Sequence, residues 1–341
     1  MINFFKKKYL LLKFLSSILS RKNLVLFLWN YYQRLILRKK IPANVFLGVT
    51  FHCQFQCAYC GLGTHPIEQQ GLTDKQWEQV IDRLIALKIS RIHFTGGEPL
   101  LKKGIEDLVE YVYLKGGISF LETNGWDLSI ERIAELKNKH LGCVCVSLNG
   151  ASAGTHDVIS GKKGSFDKVV AAIQGCRKYK MPVIINTVLR KGLIASKEFM
   201  DLLALASKLK VSAIKLIAPR AAGRWIHKQE VMLDKKEKKY NKKAIASIGL
   251  PFFGDGFYEE TCRITAPRFI FISPGGDLYA CPYIPYSFGN VLCDDILTIF
   301  KRISTHAMFQ VKTGCKLKNQ EFREKYIDCI KKEDKLPIKL Y

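Results

Sequence analysis

Between Val45 and Pro219 the chain repeats one pattern, a short apolar run followed by a stretch with apolar residues at helical spacing. The run before Cys53 (Val45–Phe51) and those at Ile92–Phe94, Ile118–Leu121, Cys143–Leu148, Val183–Leu189 and Ala213–Ile217 read as six strands. Trp77, Val80, Ile81, Leu84 and Ile85 mark one intervening helix, opened by the capping box Thr73-x-x-Gln76. Ile105, Leu108, Val109 and Val112 mark the next, and further helices are expected near 130–139, 165–179 and 197–209. Strict alternation of this kind requires helical crossovers, and therefore a parallel sheet in an α/β fold. At 341 residues the chain is long enough for one large domain with a smaller one beside it.

Polar signals sit where the strands end. The first strand runs into Cys53-Gln-Phe-Gln-Cys57-Ala-Tyr-Cys60, three thiols within eight residues. Packing would be served by one buried Cys, so three point to a soft metal centre. Zinc would need a fourth ligand, with His52 and His65 nearest at hand. An iron–sulfur cluster with one open iron needs only the three, and is the favoured reading. Gly96-Gly97-Glu98-Pro99 follows the second strand. Paired glycines let a ligand approach the backbone, and Glu98 can accept a bond from an ammonium group. Glu122-Thr123-Asn124-Gly125 follows the third strand and Ser147-Leu148-Asn149-Gly150 the fourth, while Asn186 lies on the fifth.

Cys-x3-Cys-x2-Cys with Tyr59 before the last Cys, together with Thr50, His52 and the Gly-Gly-Glu-Pro tetrapeptide, resembles the signature of the radical S-adenosylmethionine (SAM) superfamily. The resemblance implies a partial (β/α)6 barrel with its chemistry at the C-terminal strand ends. It implies a [4Fe–4S] cluster on Cys53, Cys57 and Cys60, whose open iron is chelated by SAM. One electron from that cluster then releases a 5′-deoxyadenosyl radical. Tyr59, Gly96, Gly97, Glu98, Asn124, Ser147 and Asn186 are the positions it marks for SAM. Two departures stand out: Asn149 occupies a position where the family usually has Asp. In His156-Asp157-Val158-Ile159-Ser160-Gly161, Ser160 replaces an Arg.

Past Pro219-Arg220 the alternation stops. Lys235–Lys243 holds six lysines around Glu237, as a solvated linker helix would. Cys262, the hairpin-like Gly276-Asp277-Leu278-Tyr279-Ala280-Cys281, and Phe288-Gly289-Asn290-Val291 with a helix over Ile296–Ile303 resemble the twitch and SPASM extensions of the same superfamily. The shorter twitch form matches the Cys count better. It implies one auxiliary [4Fe–4S] cluster on Cys262, Cys281, Cys315 and Cys329, with Cys293 left out; a zinc-bound cap on the same four Cys is the alternative. Cys143, Cys145 and Cys176 read as small core hydrophobes.

The net charge is +24, and residues 1–40 supply ten Lys/Arg with no Asp or Glu. That arm alternates basic and apolar clusters, and its longest uncharged run, Asn23–Gln33, is too short to span a bilayer. It reads as two short amphipathic helices suited to the membrane surface, or else as a helical collar on the catalytic domain. Clustered rather than paired Cys suggest a reducing, cytoplasmic setting, peripheral to the membrane where the arm binds it. The expected divisions are an arm (1–42), a radical SAM core (43–225), a linker helix (226–255) and a small α+β auxiliary domain (256–341). The favoured function is hydrogen abstraction from a small polar or lipid-linked substrate, with an external donor such as a flavodoxin or ferredoxin. Alternatives are maturation of a ribosomally made peptide, RNA modification, and a non-catalytic electron carrier. Basic charge concentrated in the arm and linker argues against nucleic acid, and the glycine-rich SAM loop argues against a mere carrier.

Overall fold

The computed structural model describes residues 9, 12–39, 41–67, 71–247, 252–255, 269–310, 315–331 and 333–341. Seven strands run parallel in sequence order: β1 (Asn44–Thr50), β2 (Arg91–Gly96), β3 (Ile118–Thr123), β4 (Cys143–Ser147), β5 (Val183–Val188), β6 (Ala213–Ile217) and β7 (Phe252–Asp255). The outer helices are α2 (Asp74–Ala86), α3 (Ile105–Leu114), α4 (Ile130–Asn138), α5 (Ala153–Ser160), α6 (Ser165–Lys178) and α7 (Lys197–Lys208), preceded by α1 (Arg21–Leu35) and followed by α8 (Lys235–Ser247). Thr73 and Gln76 close the expected capping box on α2, which buries Trp77, Val80, Ile81 and Leu84. Helix α3 buries Ile105, Leu108, Val109 and Val112.

The sheet is curled. Lys215 on β6 holds its ammonium 5.4 Å from the ring centre of Phe46 on β1. In a flat sheet those strands would be about 24 Å apart. The inner face closed off in this way is filled from below: Phe14 and Ile18, from a helical segment over 12–18, pack on Ile118, Phe120, Cys143, Cys145, Ile184 and Ala213. These inward residues lie toward the N-terminal ends of their strands. The arm is thus a plug in the floor of the barrel, close to the collar that the sequence left as one alternative.

Two features depart from the expected divisions. The stretch read as a linker carries α8 but also β7, which pairs in parallel with β6 from Ile214↔Phe252 to Ile217↔Asp255. Nor does the sheet stop at the C-terminal unit. There β8 (Phe269–Ile272) pairs in parallel with β1, and the antiparallel β9 (Asp277–Tyr279) and β10 (Tyr286–Asn290) extend it outward to β11 (Ile338–Lys339). Helix α9 (Ile296–Thr305) buries Ile296, Ile299, Phe300 and Ile303, and α10 (Gln320–Tyr326) follows. Among the described residues no helix is long and apolar enough to cross a membrane.

Candidate active site

The loop after β1 carries Cys53, Cys57 and Cys60, all free thiols. Backbone bonds hold it against the end of β2, where Gly97 N–H donates to Thr50 O at 2.7 Å and Glu98 N–H to His52 O at 2.8 Å. A Cβ on Gly96 would overlap Thr50 O, and one on Gly97 would overlap His52 O. Gly96 also has φ +134°, a conformation that disfavours any side chain. The glycines that the sequence assigned to ligand approach are thus needed first for the approach of the Cys loop itself.

Glu98 has a similar local duty. It is fully buried, and its carboxylate accepts from Leu100 N–H (3.1 Å), Thr123 Oγ1–H (2.7 Å) and Asn124 N–H (2.7 Å). Burial outweighs these donors and pushes its carboxyl up to about 7. Through these bonds Glu98 splices the β2 end to the β3 end. Asn124 Nδ2 lies 3.8 Å from Cys53 Sγ and 3.3 Å from Gln54 Oε1. Tyr59 OH accepts from Asn149 Nδ2 at 2.9 Å, and Asn149 Oδ1 accepts from Val188 N–H at 2.9 Å. The Asn found where Asp is usual therefore ties the Cys loop to β4 and β5. Ser147 stands beside Asn186 in the β4–β5 register. Asn186 Nδ2 donates to Glu122 Oε2 at 2.6 Å, while its Oδ1 is buried with no partner among the described residues.

Burial raises the thiols of Cys53 and Cys60; burial and then the neighbouring Cys60 and Cys53 push Cys57 up to about 12. Three thiols on one short loop would suit a soft cation that takes them as thiolates. Arg224, which sequence reasoning missed, helps neutralise that charge. Its Nη1 donates to Cys57 O at 3.0 Å and its backbone N–H to Cys60 O at 3.1 Å. No three Cys, His, Asp or Glu side chains among the described residues close on a single ion. Of the zinc candidates, His65 lies between Phe51, tilted against it at 5.0 Å, and Tyr279, stacked on it at 5.8 Å, and burial lowers it to about 4.

Below the thiols the inner face carries a polar cluster that strand periodicity concealed. Glu122 accepts from His93 Nδ1 at 2.9 Å, Asn186 Nδ2 at 2.6 Å and Lys215 Nζ at 3.4 Å. Burial alone would raise Glu122, but Lys215 and His93 hold it down at about 2. His93, lowered by burial despite Glu122, is stacked between Phe46 and Phe120, each at 4.4 Å. The cluster is a charged floor under the mouth of the barrel. Its signal in the sequence is faint: one polar residue at an inward position on each of several apolar strands.

In the C-terminal third, Cys281 follows β9, Cys315 opens a short 3-10 turn over Lys316–Lys318, and Cys329 lies beside Tyr286 on β10. Cys262 falls outside the described residues. Cys293 is exposed, whereas Cys143, Cys145 and Cys176 are buried in the core as expected.

Residues 47–205 match the profile of the radical SAM superfamily. The PqqA peptide cyclase of Bradyrhizobium diazoefficiens is 30% identical over 155 residues, 44% of this chain and 40% of that protein. An AdoMet-dependent heme synthase of Methanosarcina barkeri is 25% identical over 280 residues, 73% of this chain and 79% of the relative. The chain thus spans under half the length of the peptide cyclase and most of the heme synthase. The fold is similar to that of Streptococcus suis SuiB bound to its precursor peptide SuiA, with TM-score 0.64, 16% identity, and coverage of 78% and 67% of the two chains. Residues 47–205, with the Cys loop at the C-terminal end of β1, thus form a domain that matches the radical SAM superfamily.

Proposed function

We propose that the protein is a radical SAM enzyme that oxidises or cross-links a ribosomally made peptide. The observation that carries the reading is the convergence of three free thiols with the Gly96–Glu98 loop, Asn124 and Arg224 at one end of the barrel. Cys53, Cys57 and Cys60 would hold a [4Fe–4S] cluster, and the donor set fits it: soft thiols, a nearby guanidinium and no competing carboxylate ligand. Tyr59, Gly96, Gly97, Asn124, Ser147 and Asn186 would border SAM, for which the partnerless Asn186 Oδ1 is a ready acceptor. Bound there, the cluster and SAM supply a 5′-deoxyadenosyl radical for hydrogen abstraction. The chain's own part is to hold the loop rigid through Gly97, Glu98 and Tyr59, and to orient substrate over the Glu122–His93–Lys215 floor. Cys262, Cys281, Cys315 and Cys329 are the proposed ligands of a second, electron-accepting [4Fe–4S] site, and an external donor such as a flavodoxin or ferredoxin would supply the electron for SAM cleavage.

The sequence leaned toward a small polar or lipid-linked substrate because of the basic arm. Two observations move the balance. The relatives named above include a peptide cyclase and a precursor-bound structure. The arm also lies at the floor of the barrel, away from the thiols. The heme synthase aligns with more of this chain, which keeps a non-peptide substrate as the second reading. Co-expression with a short precursor peptide, taken from the genomic neighbourhood where one is encoded there, followed by mass spectrometry, separates the two. Loss of hydrogens from that peptide, absent with a Cys57→Ala variant, is the expected result. An unmodified peptide with a tetrapyrrole consumed instead would replace this reading with the second.

A further inference from the structure

Helix α1 is built inside out. It buries Asn23, Asn30 and Gln33 and turns Leu24, Val25, Leu28, Trp29, Tyr32 and Leu35 to solvent, Val25 with 73% of its surface exposed. Asn23 Oδ1 accepts from Ser20 N–H at 2.7 Å and Gln33 Oε1 from Lys39 Nζ at 3.1 Å, while Gln33 Nε2 is buried with no partner among the described residues. A helix serving only as a plug would turn its apolar stripe inward. An apolar face left outward marks a surface for something else.

The second observation is independent of that helix. Among the described residues the non-glycine positions with positive φ are Arg38, Lys88, His140, Lys180 and Lys210. The last four follow α2, α4, α6 and α7 and lead into β2, β4, β5 and β6. Glycine is the usual and less strained choice after a helix. Here these positions carry exposed basic side chains at the end of the barrel where the strands begin, whereas the turn between α3 and β3 keeps glycine, Gly116 with φ +82°. Helix α1 lies at that same end: Asn30 Nδ2 donates to Pro42 O at 3.5 Å, and Arg91, the first residue of β2, sits over Phe27 at 5.8 Å.

We infer that this end of the barrel docks on an anionic phospholipid surface, with the α1 stripe entering the interface and the ring of cations meeting the headgroups. An aromatic and aliphatic stripe bordered by cations is what interfacial binding uses. Residues 1–40 contain no acidic side chain, so a second copy of this face would be repelled rather than seated. RNA would engage the cations but has no use for the aliphatic stripe. The consequence is an enzyme whose thiol-bearing mouth points away from the bilayer and takes substrate from solution.

The test is pelleting of the full-length protein with vesicles of phosphatidylglycerol and phosphatidylcholine, against phosphatidylcholine alone. Binding is expected only to the anionic vesicles and should weaken with salt, since the attraction is screened over about 8 Å at physiological ionic strength. The triple variant Lys88→Gly/Lys180→Gly/Lys210→Gly suits its backbone positions and should stay folded, with vesicle affinity lower by on the order of a hundredfold. Leu28→Ser/Trp29→Ser should also weaken binding. The inference is overturned if the protein stays in the supernatant, or if the triple variant binds as well as the parent. It is likewise overturned if the protein self-associates through α1, or if it binds short RNA in a manner indifferent to Leu28 and Trp29.

Discussion

The two ends of the barrel are made by opposite rules. At the C-terminal ends of the strands, backbone approaches backbone so closely that Gly96 and Gly97 cannot carry a Cβ, and polar side chains are bonded to one another. At the N-terminal ends, five positions that would favour glycine carry Lys, Arg or His instead, and apolar side chains of α1 face water. One end gives up side chains to gain precision, as a catalytic constellation requires. The other accepts local strain and keeps its charge. On the proposals made above, catalysis and membrane contact fall to different poles of one sheet.

Substitutions at the two poles should therefore fail differently. The largest effect is expected from Gly97→Val, whose side chain would collide with the His52 carbonyl and displace the Cys loop. A misplacement of about 1 Å costs roughly a hundredfold in rate, so release of 5′-deoxyadenosine should fall by at least that factor. Normal activity in the variant would mean the loop contact is dispensable. Between the poles, Glu122→Gln removes the carboxylate that the part-buried Lys215 and His93 share, at a cost of about 3 kcal/mol in urea unfolding. The pH dependence carries the same information. Glu122 is held at about 2, below the ordinary carboxylate value, so its stabilisation is present above about 4.5 and is lost as pH falls toward 2. The Gln variant should lose that acid limb, and an unchanged limb would assign it elsewhere.

At the floor, Phe14→Ala should cost about 3 kcal/mol of stability by opening a cavity under β3 and β4, while the folded fraction still cleaves SAM. Loss of cleavage at full occupancy of the fold would couple the poles. The smallest effect is expected for Lys180→Gly, within about 1 kcal/mol of the parent and on the stabilising side. Clear destabilisation there would show that the lysine is held by contacts of its own rather than tolerated at a strained position.

Much of the mouth was legible because its signals are local. The Cys spacing, the paired glycines and the polar residues at strand ends lie within a few positions of each other. Helix periodicity likewise marked Trp77–Leu84 and Ile105–Val112, whose apolar faces do meet the core. What escaped depends on partners distant in sequence. His93, Glu122, Asn186 and Lys215 come from four strands and become a cluster only when the sheet curls. Strand β7 lies just after a lysine-rich helix that reads as linker, and is recognisable only by its pairing with β6. The arm was legible only in part, for a physical reason: amphipathicity reveals that a helix has two faces, not which face is turned inward. Glu98 was marked at its position, yet its three donors come from its own loop and from β3 and the turn after it, which no spacing announces.

The central claim is that Cys53, Cys57 and Cys60 together make the chain a SAM-cleaving enzyme. Its most direct test is release of 5′-deoxyadenosine from SAM under dithionite, measured on anaerobically reconstituted parent protein and on the Cys53/Cys57/Cys60→Ala variant. The account predicts steady release by the parent and background release by the variant, with each single substitution as damaging as all three, because the ligands act as a unit. Deoxyadenosine released by the triple variant at the parent's rate would contradict it.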